Sequence, residues 1–156
     1  MKDELSLLQQ AIALAKRSIM NGGGPFGAVV ARDGKIIAEA NNVVVSSHDP
    51  TAHAEILAIR KASASFKSHD LSDCVIYASC EPCPMCLGAI YWSGIQRVVY
   101  AADRKDAAAA GFNDGMIYDE IILNPSKRKV AFIQMTDAGG EEVFKEWDEY
   151  EGKIPY

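Results

Sequence analysis

The chain has 156 residues, of which 49% are apolar and 24% are charged, and its formal net charge at pH 7 is −5. This composition is typical of one globular domain and excludes an extensively disordered chain. Proteins that neutralise several backbone phosphates usually carry a basic surface, so the acidic balance argues against a large nucleic-acid substrate.

Helical and β-strand periodicities predict three elements in the first part of the chain: a helix over residues 3–20 and strands over residues 27–32 and 35–40. The Asp33-Gly34 pair between the two strands is a strong hairpin signal. A polar loop then leads to a second helix over residues 51–66. Asp49 or Thr51 is its expected N-cap, because short polar side chains accept hydrogen bonds from a first helical turn.

The middle and C-terminal parts of the chain continue this alternation. We predict strands over residues 74–79, 96–102 and 130–135, and helices over residues 84–93, 116–123 and 141–151. A strand, a short helix and another strand favour parallel neighbours, while the hairpin is antiparallel. The sequence therefore predicts a single α/β domain over residues 1–156, a three-layer α/β/α sandwich around a mixed five-stranded sheet.

Targeting signals and the spacing of the cysteines indicate the cellular compartment of the protein. The first residues, MKDE, lack the basic and apolar regions of a secretory signal, and no apolar stretch approaches the ~20 residues of a membrane span. Two of the four cysteines, Cys83 and Cys86, have metal-ligand spacing, which fits a reducing environment better than a disulfide framework. We predict a cytoplasmic protein with no membrane partner.

Three residues form the predicted metal site: His53, Cys83 and Cys86. If Cys83 caps a helix that Pro84 opens, Cys86 is the third helical residue, and both sulfur atoms can meet one ion. The helix N-terminus favours the thiolate form that zinc requires. Three protein ligands leave one position for water, which is typical of a catalytic zinc site.

Glu55 lies two residues from His53, and helical residues at this spacing do not share a face. We therefore expect its carboxylate to act as base and proton carrier for the bound water rather than as a ligand. Two alternatives use Cys80: a closed structural zinc site with Cys80 as fourth ligand, and an iron–sulfur site. Cys74 is expected to pack in the core.

The pair His-x-Glu at residues 53–55 and Pro-Cys-x-x-Cys at residues 82–86 is the signature of zinc nucleobase deaminases. From about residue 25 to residue 102 the chain resembles the cytidine/deoxycytidylate deaminase superfamily. Within this superfamily, the chain is similar to the bacterial guanine deaminases. The similar segments are residues 24–29, 49–55, 79–92 and 109–114.

This resemblance implies a cytidine deaminase-like fold, one Zn²⁺ per subunit and hydrolytic deamination of a free purine base, with guanine giving xanthine and ammonia. Zinc hydroxide is then the expected nucleophile and Glu55 the proton shuttle. The same chemistry on adenosine in transfer RNA or on cytosine is an alternative. A zinc-stabilised binding module without turnover is another, from a different functional class.

The resemblance also implies substrate contacts. Asn42 matches the superfamily asparagine that hydrogen-bonds the base, and Phe26 is placed to stack on it. Asp114 corresponds to an acidic residue with a catalytic and substrate-binding role, Trp92 to a pocket wall and Tyr156 to a C-terminal tail that closes the pocket. Each has a simpler interpretation: a turn for Asn42 and Asp114, core packing for the two aromatic residues, and a frayed end for Tyr156.

Superfamily members are commonly dimers or tetramers, so the resemblance implies a homodimer. The connection over residues 111–129 is long enough to reach a partner, which would exchange residues 111–156 between subunits. Asp114 and Tyr156 would then complete the neighbour's pocket.

Overall fold

The computed structural model describes residues 3–155, which fall into two compact units: the chain up to Asp114, and the chain from Gly115 onward. Within the described residues, no helix is both long and apolar enough to cross a membrane. The first unit contains the whole sheet and every predicted metal ligand.

The first unit is built on a mixed sheet. Its strands are β1 (Gly27–Arg32), β2 (Lys35–Asn41), β3 (Val75–Cys80) and β4 (Arg97–Ala102), in the order β2-β1-β3-β4. β1 is antiparallel to both β2 and β3, whereas β3 and β4 are parallel. Asp33 and Gly34 both have positive φ, as the predicted tight hairpin requires.

Helices cover both faces of the sheet. They are α1 (Glu4–Met20), α2 (Val44–Ser47), α3 (Ala54–Phe66), α4 (Pro84–Trp92) and α5 (Arg104–Ala109). Side chains of β1 alternate between the two faces of the sheet. Val29 packs with buried residues of α1, and Val30 packs with those of α3 and α4. The predicted three-layer α/β/α sandwich is confirmed.

The second unit is helical over the residues that the structure describes. It contains α6 (Gly115–Ile121), short 3₁₀ helices at Pro125–Lys127 and Thr136–Ala138, and α7 (Gly140–Glu149). Its described side chains are all exposed or half-buried. A polypeptide that buries so little apolar surface has little to stabilise it by itself.

Two sequence predictions are wrong. Residues 130–135 form no strand, and the sheet over the described residues has four strands instead of five. Residues 130–135 have the apolar composition of a strand. However, a strand needs a neighbouring strand, and this segment pairs with none in the described part of the chain. The N-cap of α3 is His53, because Asp49 accepts hydrogen bonds from the backbone and the hydroxyl of Thr51 instead.

Candidate active site

Two helix N-termini present the predicted metal ligands. His53 is the N-cap of α3 and Cys83 the N-cap of α4, and both have extended backbone conformations. Pro84 opens α4 as predicted, so Cys86 is its third residue. Neither residue makes a side-chain capping hydrogen bond, and the imidazole and the thiol contact each other instead.

The three ligand side chains lie within metal-binding distance. His53 Nδ1 is 3.5 Å from the Sγ atoms of both Cys83 and Cys86, and the three ligand atoms lie within 4.8 Å of one another. Tetrahedral zinc, with a Zn–N bond of about 2.0 Å and a Zn–S bond of about 2.3 Å, sets neighbouring N and S atoms about 3.5 Å apart. The two distances from His53 Nδ1 therefore fit this ion.

The charges and hydrogen bonds of His53, Cys83 and Cys86 favour binding of a cation. The hydrogen bond from Cys86 lowers the pKa of Cys83 to about 4, while the same contact, together with burial, raises the pKa of Cys86. The Cys83 side chain raises the pKa of His53. Two thiols so close together, one buried and one half-buried, hold one proton between them, and a divalent cation replaces that proton.

Glu55, in the first turn of α3, lies beside this group. Its side chain is only 6% exposed, and burial raises the pKa of its carboxyl. Cys83, His53 and Cys86 all influence the pKa of this carboxyl. A buried carboxyl next to a metal group, with an ion pair to no Lys or Arg among the described residues, is typical of a functional site.

The remaining cysteines do not join the ligands. Cys80 donates to the Asp103 carbonyl at 3.5 Å, and burial raises the pKa of its thiol to about 11. Cys74 is buried, as expected for a core residue, and burial likewise raises the pKa of its thiol to about 11. Within residues 3–155 the ligand group has three members, which is the composition of a catalytic zinc centre rather than a closed structural one.

Asn42 follows the last residue of β2 and is 6% exposed. Its backbone N–H donates to the Phe26 carbonyl, and its side-chain Oδ1 accepts from the Val44 N–H where α2 begins. The Oδ1 atom is therefore engaged, and the amide Nδ2 is the group left to donate to a ligand. The simpler interpretation of Asn42 as a turn residue also holds, because its side chain accepts the hydrogen bond from the Val44 N–H at the start of α2.

Phe26 is half-buried and packs against the core cluster that includes Ala54. Its ring meets that of Phe112 edge to face, with centroids 5.0 Å apart. A Cβ atom on Gly24 would lie 3.2 Å from the Phe26 ring and 3.5 Å from Cγ of Asn42, so both side chains border this glycine. Sequence reasoning noted the segment around Phe112 but gave this residue no role.

The other predicted contacts have mixed outcomes. Asp114 is half-buried and is the last residue of the first unit. Trp92 lies at the far end of α4 from Cys83 and is 67% exposed; nine residues of helix separate the two by about 13 Å, so the structure does not bring Trp92 to the metal group. Tyr156 lies outside the described residues.

A three-ligand group with a buried carboxyl beside it belongs to the class of mononuclear catalytic zinc sites. Comparison with known proteins identifies the family. The family model described as "Cytidine and deoxycytidylate deaminase zinc-binding region" matches residues 1–102. The chain belongs to this family of zinc-binding deaminases.

The similar proteins include guanine deaminases and tRNA-specific adenosine deaminases. The chain is 49% identical to the guanine deaminase of Bacillus subtilis (strain 168) over 97% of both sequences, and a crystal structure of that protein superposes with a TM-score of 0.96 at 48% identity, over 99% of each chain. The tRNA-specific adenosine deaminase of Aquifex aeolicus is 40% identical over 75% of this chain and 77% of its own length. The guanine deaminase structure from Nitrosomonas europaea has a TM-score of 0.69 at 36% identity, covering 74% of this chain and 67% of that one.

Proposed function

We propose that this protein is a zinc-dependent guanine deaminase, which hydrolyses guanine to xanthine and ammonia. The observation that carries the proposal is the length of the similarity. The likeness to the Bacillus subtilis guanine deaminase extends over 97% of both sequences, whereas the likeness to the tRNA-specific adenosine deaminase of Aquifex aeolicus covers 75% of this chain.

The proposed metal is one Zn²⁺ per chain, held by His53, Cys83 and Cys86. When bound, zinc supplies a Lewis acid that lowers the pKa of a coordinated water to about 7. The Glu55 carboxylate would take a proton from the attacking water and deliver it to the ring nitrogen beside the amino-bearing carbon. Burial suits Glu55 to this transfer, because few competing waters reach its carboxyl.

We propose that Asn42, Phe26 and Asp114 bind the base. The Asn42 Nδ2 group donates to a ring or carbonyl acceptor, because its Oδ1 is occupied by the Val44 N–H. Phe26 offers a ring that is held in place by contacts with the core and with Phe112. Asp114 accepts from the ring N–H and the amino group of guanine, whereas adenine has an amino group and no ring N–H at the corresponding edge.

Ammonia release from guanine, adenine, cytosine and an anticodon stem-loop tests the proposed substrate. We expect turnover on guanine that exceeds the other three by about 10⁴-fold or more, the size of discrimination shown by sites that hydrogen-bond their substrate. Zinc analysis on the same sample should give one ion per chain. Turnover confined to the stem-loop, with a steep dependence on salt, would assign the protein to the tRNA branch instead.

We also propose that the protein is a homodimer that exchanges its C-terminal unit, from Gly115 onward. Large apolar side chains on that unit are exposed, among them Ile122, Val130, Ile133, Phe144 and Trp147. The first unit likewise exposes Tyr91 and Trp92 on α4. Monomers rarely leave this much apolar surface in water, and a second copy of the chain would cover it.

Sedimentation equilibrium tests the dimer, and a mixing experiment tests the exchange. Glu55→Gln and Tyr156→Ala chains, produced together, form mixed dimers. If Tyr156 completes the neighbour's pocket, one of the two pockets then combines Glu55 with Tyr156, and we expect about a quarter of wild-type activity, above either variant alone. A fully active monomer would exclude the dimer, and mixed samples no more active than the single variants would exclude exchange of Tyr156.

A further inference from the structure

Ser79 stands four residues before Cys83, near the end of β3, and the site as described gives it no role. It is 9% exposed, and its Oγ accepts a hydrogen bond of 3.0 Å from the Gly27 N–H at the start of β1. A buried side-chain hydroxyl that bonds to the backbone of a neighbouring strand is unusual, because strand pairing normally uses main-chain groups alone.

The register of the sheet explains why a side chain is used. Backbone pairing between β1 and β3 runs from Ala31↔Val75 to Ala28↔Ala78. Gly27 lies one residue beyond the last of these pairs, and the hydroxyl of Ser79 extends the attachment of β1 to β3 by that residue. The strand that leads into the metal-ligand loop is thereby joined to the turn that carries Phe26.

The peptide group between Phe26 and Gly27 is held at both ends. Its carbonyl accepts from the Asn42 N–H at 3.0 Å, and its N–H donates to Ser79 Oγ at 3.0 Å. Because a peptide group is planar and rigid, these two bonds fix the orientation of the chain where the Phe26 side chain departs. The same peptide therefore connects Phe26, Asn42 and β3.

Movement of this peptide is restricted on a further side. A Cβ atom on Gly27 would lie 2.2 Å from the carbonyl oxygen of Ala11 and 2.7 Å from the N atom of Ala15, so α1 lies directly against the backbone here. If the Ser79 hydroxyl is removed, a buried N–H loses its acceptor. The turn that carries Phe26 then loses a contact with β3, the strand that leads into the Cys83 loop.

We infer that Ser79 is a positioning residue for substrate binding: its hydroxyl sets the Phe26–Gly27 peptide, and through it Phe26 and Asn42, relative to the Cys83 loop. This inference rests on the proposed function, since it assumes that Phe26 and Asn42 contact the base. Among the described residues, the hydroxyl of Ser79 is hydrogen-bonded to the Gly27 N–H and not to a ligand atom or Glu55, so its loss should weaken binding of the base and leave the chemical step intact.

The test compares the kinetics of Ser79→Ala, Ser79→Thr and a control, Ser93→Ala, on the wild-type protein's best substrate. Ser93 is also buried, and its hydroxyl donates to the Ile90 carbonyl at 2.9 Å, at the far end of α4 from Cys83. It therefore matches Ser79 in burial and in losing one side chain–backbone hydrogen bond, but its hydroxyl is a donor to a local carbonyl and not an acceptor between strands.

We expect Ser79→Ala to raise KM about tenfold, the scale of one lost buried hydrogen bond, with kcat within about twofold and the zinc content unchanged. Ser79→Thr, which keeps a hydroxyl, should restore KM, and Ser93→Ala should leave KM at the wild-type value. If Ser79→Ala does not fold, Ser79→Thr and Ser79→Val, which have similar volumes, allow the same comparison.

Two results would overturn the inference: an unchanged KM in a folded Ser79→Ala protein, or an equal rise in KM for Ser93→Ala. Both are distinct from a failure of the proposed function. If the wild-type protein preferred another aminated base to guanine, the guanine assignment would fail, and the KM comparison would be made on that base with the same expected outcomes.

Discussion

His53 and Cys83 occupy equivalent positions in two different helices: each is the N-cap residue, and His53 Nδ1 lies 3.5 Å from Cys83 Sγ. The metal group is thus assembled where the N-termini of α3 and α4 converge. Helix N-termini carry partial positive charge and unpaired N–H groups, which favour thiolate over thiol. The fold therefore favours the ligand form of Cys83 before a metal arrives.

The role of Glu55 gives the first prediction. Glu55→Gln keeps the size and shape of a buried side chain while removing its ability to take a proton. We expect normal zinc content and unfolding temperature, with kcat lowered by about 10² or more, the usual value of positioned proton transfer. Metal analysis beside the kinetic assay checks this. Loss of zinc in the variant would instead make Glu55 a ligand.

Cys80 gives the second prediction, which separates an open from a closed metal site. Its thiol donates to the Asp103 carbonyl and is not among the three ligand side chains. Cys80→Ser should therefore retain one zinc ion per chain and kcat within about twofold, because serine still donates to that carbonyl. Cys86→Ser is the matched control and should lose the metal. Equal zinc loss in both variants would favour the structural, four-ligand site.

Local signals predicted most of the site. The Pro-Cys-Pro-Met-Cys run specifies a capped helix start and places Cys83 and Cys86 at its first turn, and Asp33-Gly34 specifies the hairpin. These features depend on a few neighbouring residues, so the sequence contains the information for them. The cap of α3 is different, because His53 occupies a position for which Asp49 and Thr51 have better propensity. Local rules often fail at functional sites, and this one does.

Contacts between distant segments could not be predicted. The Phe26–Phe112 pair joins residues that are far apart in sequence, and nothing in either neighbourhood specifies the other. The absent fifth strand has a similar cause: residues 130–135 have a strand's composition, but pairing depends on a neighbour that local patterns do not specify. The bond from Gly27 to Ser79 likewise depends on strand register.

Metal removal gives the third prediction, on thiol reactivity. In protein stripped of metal by a chelator, at about pH 6, Cys83 should be the first cysteine that iodoacetamide modifies, because a pKa of about 4 leaves it as thiolate. Cys74 and Cys80, whose pKa values are about 11, should stay thiols and react far more slowly. Peptide mass spectrometry over time checks the order. Restoring zinc before alkylation should protect Cys83, and modification of Cys80 first would contradict the assignment of ligands.

Asn42 gives the last prediction, because its two amide atoms have different tasks. Asn42→Asp keeps the Oδ1 acceptor for the Val44 N–H and removes the Nδ2 donor, whereas Asn42→Ala removes both. We expect both variants to bind guanine about tenfold or more weakly, since both lose the donor. Only Asn42→Ala should also lose about 1 kcal/mol in the free energy of unfolding, because only it leaves the Val44 N–H without its acceptor. Inhibition by a non-hydrolysable purine and urea denaturation measure the two effects separately. If Asn42→Asp bound purine as tightly as the wild type, the amide would not be the donor that reads the base.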